Sequence, residues 1–134
     1  MKSIYLSGGF HSGWQDILIG RYPQYKFFDP RKHGYTDEKD YTRWDINHIE
    51  KSSLVFAYAE RNNPSLFGLS FEIGYASAIG KPILLIDENG SRHLGICRAS
   101  AKKIFTDLDS ALEFLDTMKF RDIQEDTFDL WSIY

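Results

Sequence analysis

Residues 52–82 read Ser-Ser-Leu-Val-Phe-Ala-Tyr-Ala-Glu-Arg-Asn-Asn-Pro-Ser-Leu-Phe-Gly-Leu-Ser-Phe-Glu-Ile-Gly-Tyr-Ala-Ser-Ala-Ile-Gly-Lys-Pro. The opening run, Ser52 to Ala59, is continuously β-branched and aromatic, as in a strand covered on both faces of a parallel sheet. A polar loop follows, and then an Ala/Gly-rich segment predicted as a helix from near Gly68 to Gly80. There Gly-Lys-Pro supplies a φ-permissive stop and a proline that cannot continue a helix. Phe71, Tyr75 and Ile79 beside Gly74, Ala76 and Ala78 leave no wide polar face, so the helix is expected to be buried against the sheet. It carries one acid, Glu72. In the first helical turn a carboxylate is held ionised by free N–H groups and the macrodipole, which suits a nucleophile and equally suits a helix-end acid. Strand, loop and helix together put Glu72 at a strand's carboxyl end, the rim where open α/β sheets bind ligands.

Working outward, Ser3 to Ser7 reads as a first buried strand that opens into Gly8-Gly-Phe-His-Ser-Gly13, with a helix from Trp14 to Arg21. Such a glycine loop lets backbone N–H groups approach a ligand, or it is only a tight turn. It matches neither G-x-G-x-x-G nor G-x-x-x-x-G-K-S/T, which disfavours dinucleotide and P-loop enzymes. Tyr25 to Asp29 is a second strand ended by Pro30, and Arg31 to Thr36 a polar loop on the same rim. Asp37 is a candidate cap for a helix to Lys51 in which Thr42, Ile46 and Ile49 face the sheet. The adjacent face carries Tyr41, Trp44, Asp45 and His48. An acid between aromatics titrates high in a dry pocket, which would equip Asp45 as a proton donor, whereas on a solvated face it has no such role. Pro82 to Asp87 is a further buried strand. After a weakly patterned stretch, Lys103 to Thr106 reads as an edge strand and Asp109 to Met118 as a helix with Ala111, Leu112 and Leu115 inward. The alternation predicts a single-domain, doubly wound α/β fold with a parallel sheet of about five strands, spanning 1–118. A tail, 119–134, is too charged to join the core. Its Phe128, Leu130, Trp131, Ile133 and Tyr134 call for cover by a neighbouring subunit or the domain itself, so a homo-oligomer is expected.

The 134 residues suffice for one core, and a net charge of −3 without a basic stripe argues against nucleic-acid or membrane-surface partners. A small molecule is the expected partner. Histidines 11, 33, 48 and 93 lack metal-ligand spacing, so neither a metal nor another cofactor is expected. The single cysteine, Cys97, fits a reducing compartment, and no apolar run has the length of a signal peptide or a membrane span, which gives a cytoplasmic reading.

Taken together, Ile4-Tyr-Leu-Ser-Gly-Gly9, Asp45 with Ile49 and Ser52-Ser-Leu-Val-Phe56, Gly68 with Phe71-Glu-Ile-Gly-Tyr-Ala76, and Gly80-Lys-Pro-Ile83 resemble the nucleoside 2-deoxyribosyltransferase superfamily. The match covers positions 3–87. The resemblance implies Glu72 as nucleophile, Asp45 as proton donor to the base and Tyr5 as the residue orienting Glu72. It also implies that Gly8, Gly9, Phe10, Pro30, Asn63, Ser65, Gly68 and Tyr134 contribute to the nucleoside site, Tyr134 by completing a neighbour's. Two acids suit N-glycosidic chemistry, because one carboxylate captures an oxocarbenium-like C1′ while the other acid protonates the departing base. The acid usual six residues before the nucleophile is here Leu66. Pro64-Ser-Leu-Phe-Gly68 is also similar to the related deoxynucleoside 5′-monophosphate N-glycosidases, with His11 near the place of their phosphate-binding arginine. Transfer of deoxyribose between bases is thus the expected activity. Hydrolysis of 5′-monophosphates, or a non-catalytic nucleotide-binding module on the same fold, are the alternatives.

Overall fold

The computed structural model describes residues 2–63, 66–120 and 123. Five parallel strands, β1 (Ser3–Gly8), β2 (Lys26–Phe28), β3 (Leu54–Ala59), β4 (Ile83–Asp87) and β5 (Lys103–Phe105), form one sheet in the order β2-β1-β3-β4-β5. Crossovers run through helices α1 (Trp14–Arg21), α2 (Glu38–Lys51), α3 (Leu66–Ala78) and α4 (Gly95–Ser100), and α5 (Leu108–Thr117) follows the last strand. Every residue of the central strands β3 and β4 is buried, as the unbroken apolar runs require. The strand order reverses between β1 and β3, which creates a crevice at their carboxyl ends.

Strand alternation divides the core. Ile4, Leu6, Phe56, Leu84 and Ile86 pack with Trp14 and Leu18 of α1 and with Ala111, Leu112 and Leu115 of α5. Tyr5, Val55, Ala57 and Leu85 face the other way, onto Ile49 of α2, Leu69, Ile73 and Ala76 of α3, and Cys97 of α4. Cys97 is a buried packing residue.

Several elements depart from the sequence reading. α3 begins at Leu66, two residues before Gly68, so its first turn carries no acid and Glu72 falls in the second. Its far end does follow the Gly-Lys-Pro signal. Gly80 takes φ 75°, its N–H donates to the Ser77 carbonyl at 3.1 Å, and the Lys81 N–H donates to the Ala76 carbonyl at 2.9 Å. Nor is α3 buried all round: Phe67 is 90% and Phe71 50% exposed. In α2, Asp37 caps by accepting from the Lys39 and Asp40 N–H groups, but of the three residues expected to face the sheet only Ile49 is buried. Thr42 and Ile46 are half-buried, and Trp44 packs against the core in their place. The stretch 91–100 folds as a 3-10 turn (Arg92–Leu94) leading into α4. The tail's first residues also join the core: Phe120 and Ile123 are buried, and the Phe120 ring meets Tyr25 edge-on at 5.1 Å. Charge on neighbouring residues does not prevent this, because burial is decided side chain by side chain. The expected cover for Phe128, Leu130, Trp131, Ile133 and Tyr134 lies outside the described residues, as do Ser65 and Tyr134 themselves.

Among the described residues no helix is long and apolar enough to cross a membrane, and no group of three or more His, Cys, Asp or Glu could hold a metal ion.

Candidate active site

β1 supplies the floor of the site. Because side chains repeat every second residue along a strand, Tyr5 and Ser7 point to the same face, toward α3. Both are fully buried, and both donate to one carboxylate: the Tyr5 hydroxyl to Glu72 Oε2, and the Ser7 hydroxyl to Glu72 Oε1 at 2.9 Å. Each carboxylate oxygen keeps a further lone pair. Ser7 was not singled out by sequence reasoning, although its spacing from Tyr5 carries the signal.

Position in the second turn removes the helix-end reading of Glu72, since the free N–H groups belong to the first turn. It also removes the expectation of an ionised side chain held by the macrodipole. Burial dominates and pushes the Glu72 carboxyl up to about 8; the Tyr5 and Ser7 hydrogen bonds oppose this, and the charge of Asp45 adds to it. The Tyr5 phenol is driven far above its ordinary range by burial and then by the neighbouring carboxylates, so it remains a donor.

Asp45 reaches the same phenol from α2. Its Oδ1 is buried and accepts no hydrogen bond among the described residues. Burial raises its carboxyl, while the Tyr5 hydrogen bond and the nearby His33 and His48 pull the other way. The aromatic setting expected around it is present. Trp44 stacks on His48 with centroids 3.8 Å apart, meets His33 at 5.1 Å and approaches Tyr5 at 6.3 Å. Two acids with raised affinity for protons thus meet at one phenol and titrate as a coupled pair.

The glycine loop shapes the opening. Gly8 has φ 153°, and a Cβ there would lie 2.8 Å from the Tyr58 carbonyl oxygen and 3.0 Å from the Trp14 ring. Only glycine fits so close an approach. A cavity of about 230 Å³ is lined by Gly8, Gly9, Phe10, His11, Asn63, Gly68, Leu69 and Glu72. It adjoins a second cavity, of about 310 Å³, through Gly9, His11 and Asn63; the second also presents Ser12, Asn62, Arg61, Glu60 and Glu88. The structure thus brings Gly8, Gly9, Phe10, Asn63 and Gly68 to one opening with Glu72. Pro30 stands apart, buried at the start of a 3-10 turn (Pro30–Lys32) that Asp29 caps. A larger hollow, about 520 Å³, lies along β2, but its carboxylate, Asp29, is tied to Arg31 at 2.7 Å.

The family model described as nucleoside 2-deoxyribosyltransferase matches residues 11–126. A 2-deoxyribosyltransferase from Bacillus psychrosaccharolyticus superimposes with a TM-score of 0.68 at 19% identity, over 90% of this chain and 95% of that one. A CMP N-glycosidase from Clostridium botulinum gives 0.64 at 20% identity, over 87% and 100%. A 2-deoxyribosyltransferase from Leishmania mexicana gives 0.66 at 17% identity, over 89% and 100%. Among curated protein sequences there is no match.

Proposed function

The chain belongs to the nucleoside 2-deoxyribosyltransferase family, and from that premise we propose that it cleaves the N-glycosidic bond of 2′-deoxyribonucleosides and passes the deoxyribosyl group to another nucleobase. The observation that carries this reading is the buried carboxylate of Glu72, held on both oxygens by Tyr5 and Ser7 and open to a cavity at the switch of strand order.

In this reading a Glu72 oxygen attacks C1′ as the bond from C1′ to the base nitrogen breaks, and the bond's electron pair leaves with the base. Asp45, its carboxyl raised by burial, donates the proton that the departing base takes up. The product is a deoxyribosyl ester of Glu72. A nitrogen of a second base then attacks C1′, the ester oxygen departs as the Glu72 carboxylate, and the proton released by the incoming base returns to Asp45. Water in place of that base would give hydrolysis, so exclusion of water decides between the two outcomes. Gly8, Gly9, Phe10, Asn63 and Gly68 would border the sugar and base.

A second reading, release of base from 5′-monophosphates, draws on Arg61 and His11 in the adjoining cavity and on the likeness to a CMP N-glycosidase. Glu60 and Glu88 line the same cavity and would repel a phosphate dianion, which favours the free nucleoside. Incubation of a deoxynucleoside with a different free base, followed by chromatography, tests the proposal. Exchanged nucleoside is expected; free deoxyribose as the sole sugar product would eliminate transfer, and release only from the 5′-monophosphate would select the second reading.

We further propose that the protein works as a homo-oligomer in which the tail, Tyr134 included, completes a neighbour's site. Removal of residues 128–134 should then lower both the sedimentation coefficient and the activity, whereas an unchanged assembly would assign the tail to its own subunit.

A further inference from the structure

Two buried side chains of α1 converge on one loop carbonyl. Trp14 Nε1–H donates to the Gly9 oxygen at 3.0 Å, and Gln15 Nε2–H donates to the same oxygen at 2.9 Å. Neither residue needs this bond for its place in the fold. The Trp14 ring is already packed, stacked on Phe56 at 5.8 Å and edge-on to Tyr58 at 5.5 Å. Gln15 is wholly buried, and its Oε1 accepts no hydrogen bond among the described residues. A leucine of similar volume would avoid that unmet acceptor, a penalty comparable to a lost hydrogen bond. What the amide adds over leucine is its N–H on Gly9.

The consequence lies on the other side of the peptide. A trans peptide is planar, with its N–H pointing opposite to its C=O. The Gly9 carbonyl is drawn toward Trp14, which belongs to the face of the sheet covered by α1 and α5, whereas Glu72 projects on the α2 and α3 face. The N–H of the same peptide unit belongs to Phe10, which borders the Glu72 cavity together with Gly8 and Gly9. Among the described residues that N–H has no hydrogen-bond partner.

We propose that Trp14 and Gln15 are positioning residues that lock the Gly9–Phe10 peptide, so that the Phe10 N–H faces the cavity and donates to an oxygen of the bound sugar. The proposal rests on the deoxynucleoside reading given above. Without the two donors the peptide is free to rotate and present its carbonyl, an acceptor, where the sugar needs a donor. The bond is made in the bound substrate and persists in the transition state, so its loss weakens binding without slowing the chemical step.

The direct test is an ester at this peptide, made by incorporating phenyllactic acid in place of Phe10, which removes the N–H and keeps the side chain. Base release from thymidine and from 2′-deoxyadenosine is followed for the full-length protein, the ester form, Gln15→Leu and Trp14→Phe. Expected is a KM raised about five- to tenfold with kcat within about twofold in the ester form, and a smaller rise of the same kind in each side-chain variant. A wild-type KM in the ester form, or a fall in kcat at constant KM, would overturn the proposal. The ester leaves both side chains in place, so its result stands even if a variant at 14 or 15 folds poorly. Should the unaltered protein release no base, calorimetric dissociation constants for the same two nucleosides replace KM in the comparison. Absence of binding by the unaltered protein would refute the functional reading and this inference with it, whereas binding that the ester leaves unchanged would refute this inference alone.

Discussion

Substituting Tyr5→Phe removes the phenol that Glu72 and Asp45 share, and a substrate that needs no proton from Asp45 then reads its contribution to Glu72. The ring keeps its buried position and its contact with Trp44, while the donor to Oε2 disappears. A buried hydrogen bond to a charged acceptor contributes about 1.5–3 kcal/mol. At about 1.4 kcal/mol per pH unit, that moves the Glu72 titration up by roughly one to two units, from about 8 to roughly 9–10. At pH 7 the share of free enzyme with Glu72 ionised then drops from about one in ten to about one in a hundred or fewer. For a deoxyriboside whose leaving group needs no proton from Asp45, kcat/KM follows the ionisation of Glu72 in the free enzyme, and its acid limb should shift alkaline by the same interval. At neutral pH, cleavage of that substrate should fall about 10- to 100-fold, with much of the loss recovered near pH 10. The assay is kcat/KM for that substrate between about pH 5.5 and about pH 10, with thermal unfolding as a check on folding. A loss equal at every pH, with the midpoint of the acid limb unmoved, would refute the argument that Tyr5 acts by favouring the Glu72 carboxylate.

Other outcomes follow from the same geometry. Glu72→Gln should abolish the covalent route, and intact-protein mass spectrometry of an acid-quenched reaction should show a deoxyribosyl adduct on the wild type alone. The same substitution should affect stability with a definite sign. Folding raises the Glu72 pKa from 4.5 to about 8, so the folded state holds the proton more tightly, and wild-type stability falls as pH rises across that window. Thermal unfolding should therefore find Glu72→Gln more stable than wild type near pH 9, by up to about 5 kcal/mol, and nearly equal to it below about pH 4.5. Asp45→Asn should still bind nucleoside yet release base about 10²- to 10⁴-fold more slowly, with a much smaller loss for a deoxyriboside whose leaving group needs no proton. Gly8→Ala sets a methyl group against the Tyr58 carbonyl oxygen and the Trp14 ring, and should lower stability by about 1–3 kcal/mol in chemical denaturation.

What the sequence determined by itself was local. The unbroken apolar runs at 54–59 and 83–87, the glycines that close the first strand and α3, and the Asp37 cap are properties of neighbours along the chain, and periodicity or turn chemistry exposes them directly. The two acids were legible for a similar reason, since Glu72 interrupts an apolar segment and Asp45 sits between aromatics. Only the tertiary structure decided how these parts meet. Strand order placed β1 beside β3 and set Tyr5 and Ser7, more than sixty residues away in sequence, against Glu72. Burial then raised the Glu72 carboxyl, reversing the ionised state that a first-turn position implied. The hold of Trp14 and Gln15 on Gly9 likewise depends on where α1 docks. Desolvation and long-range hydrogen bonds depend on which surfaces come together in space, and a pattern of neighbouring residues carries no record of that distance.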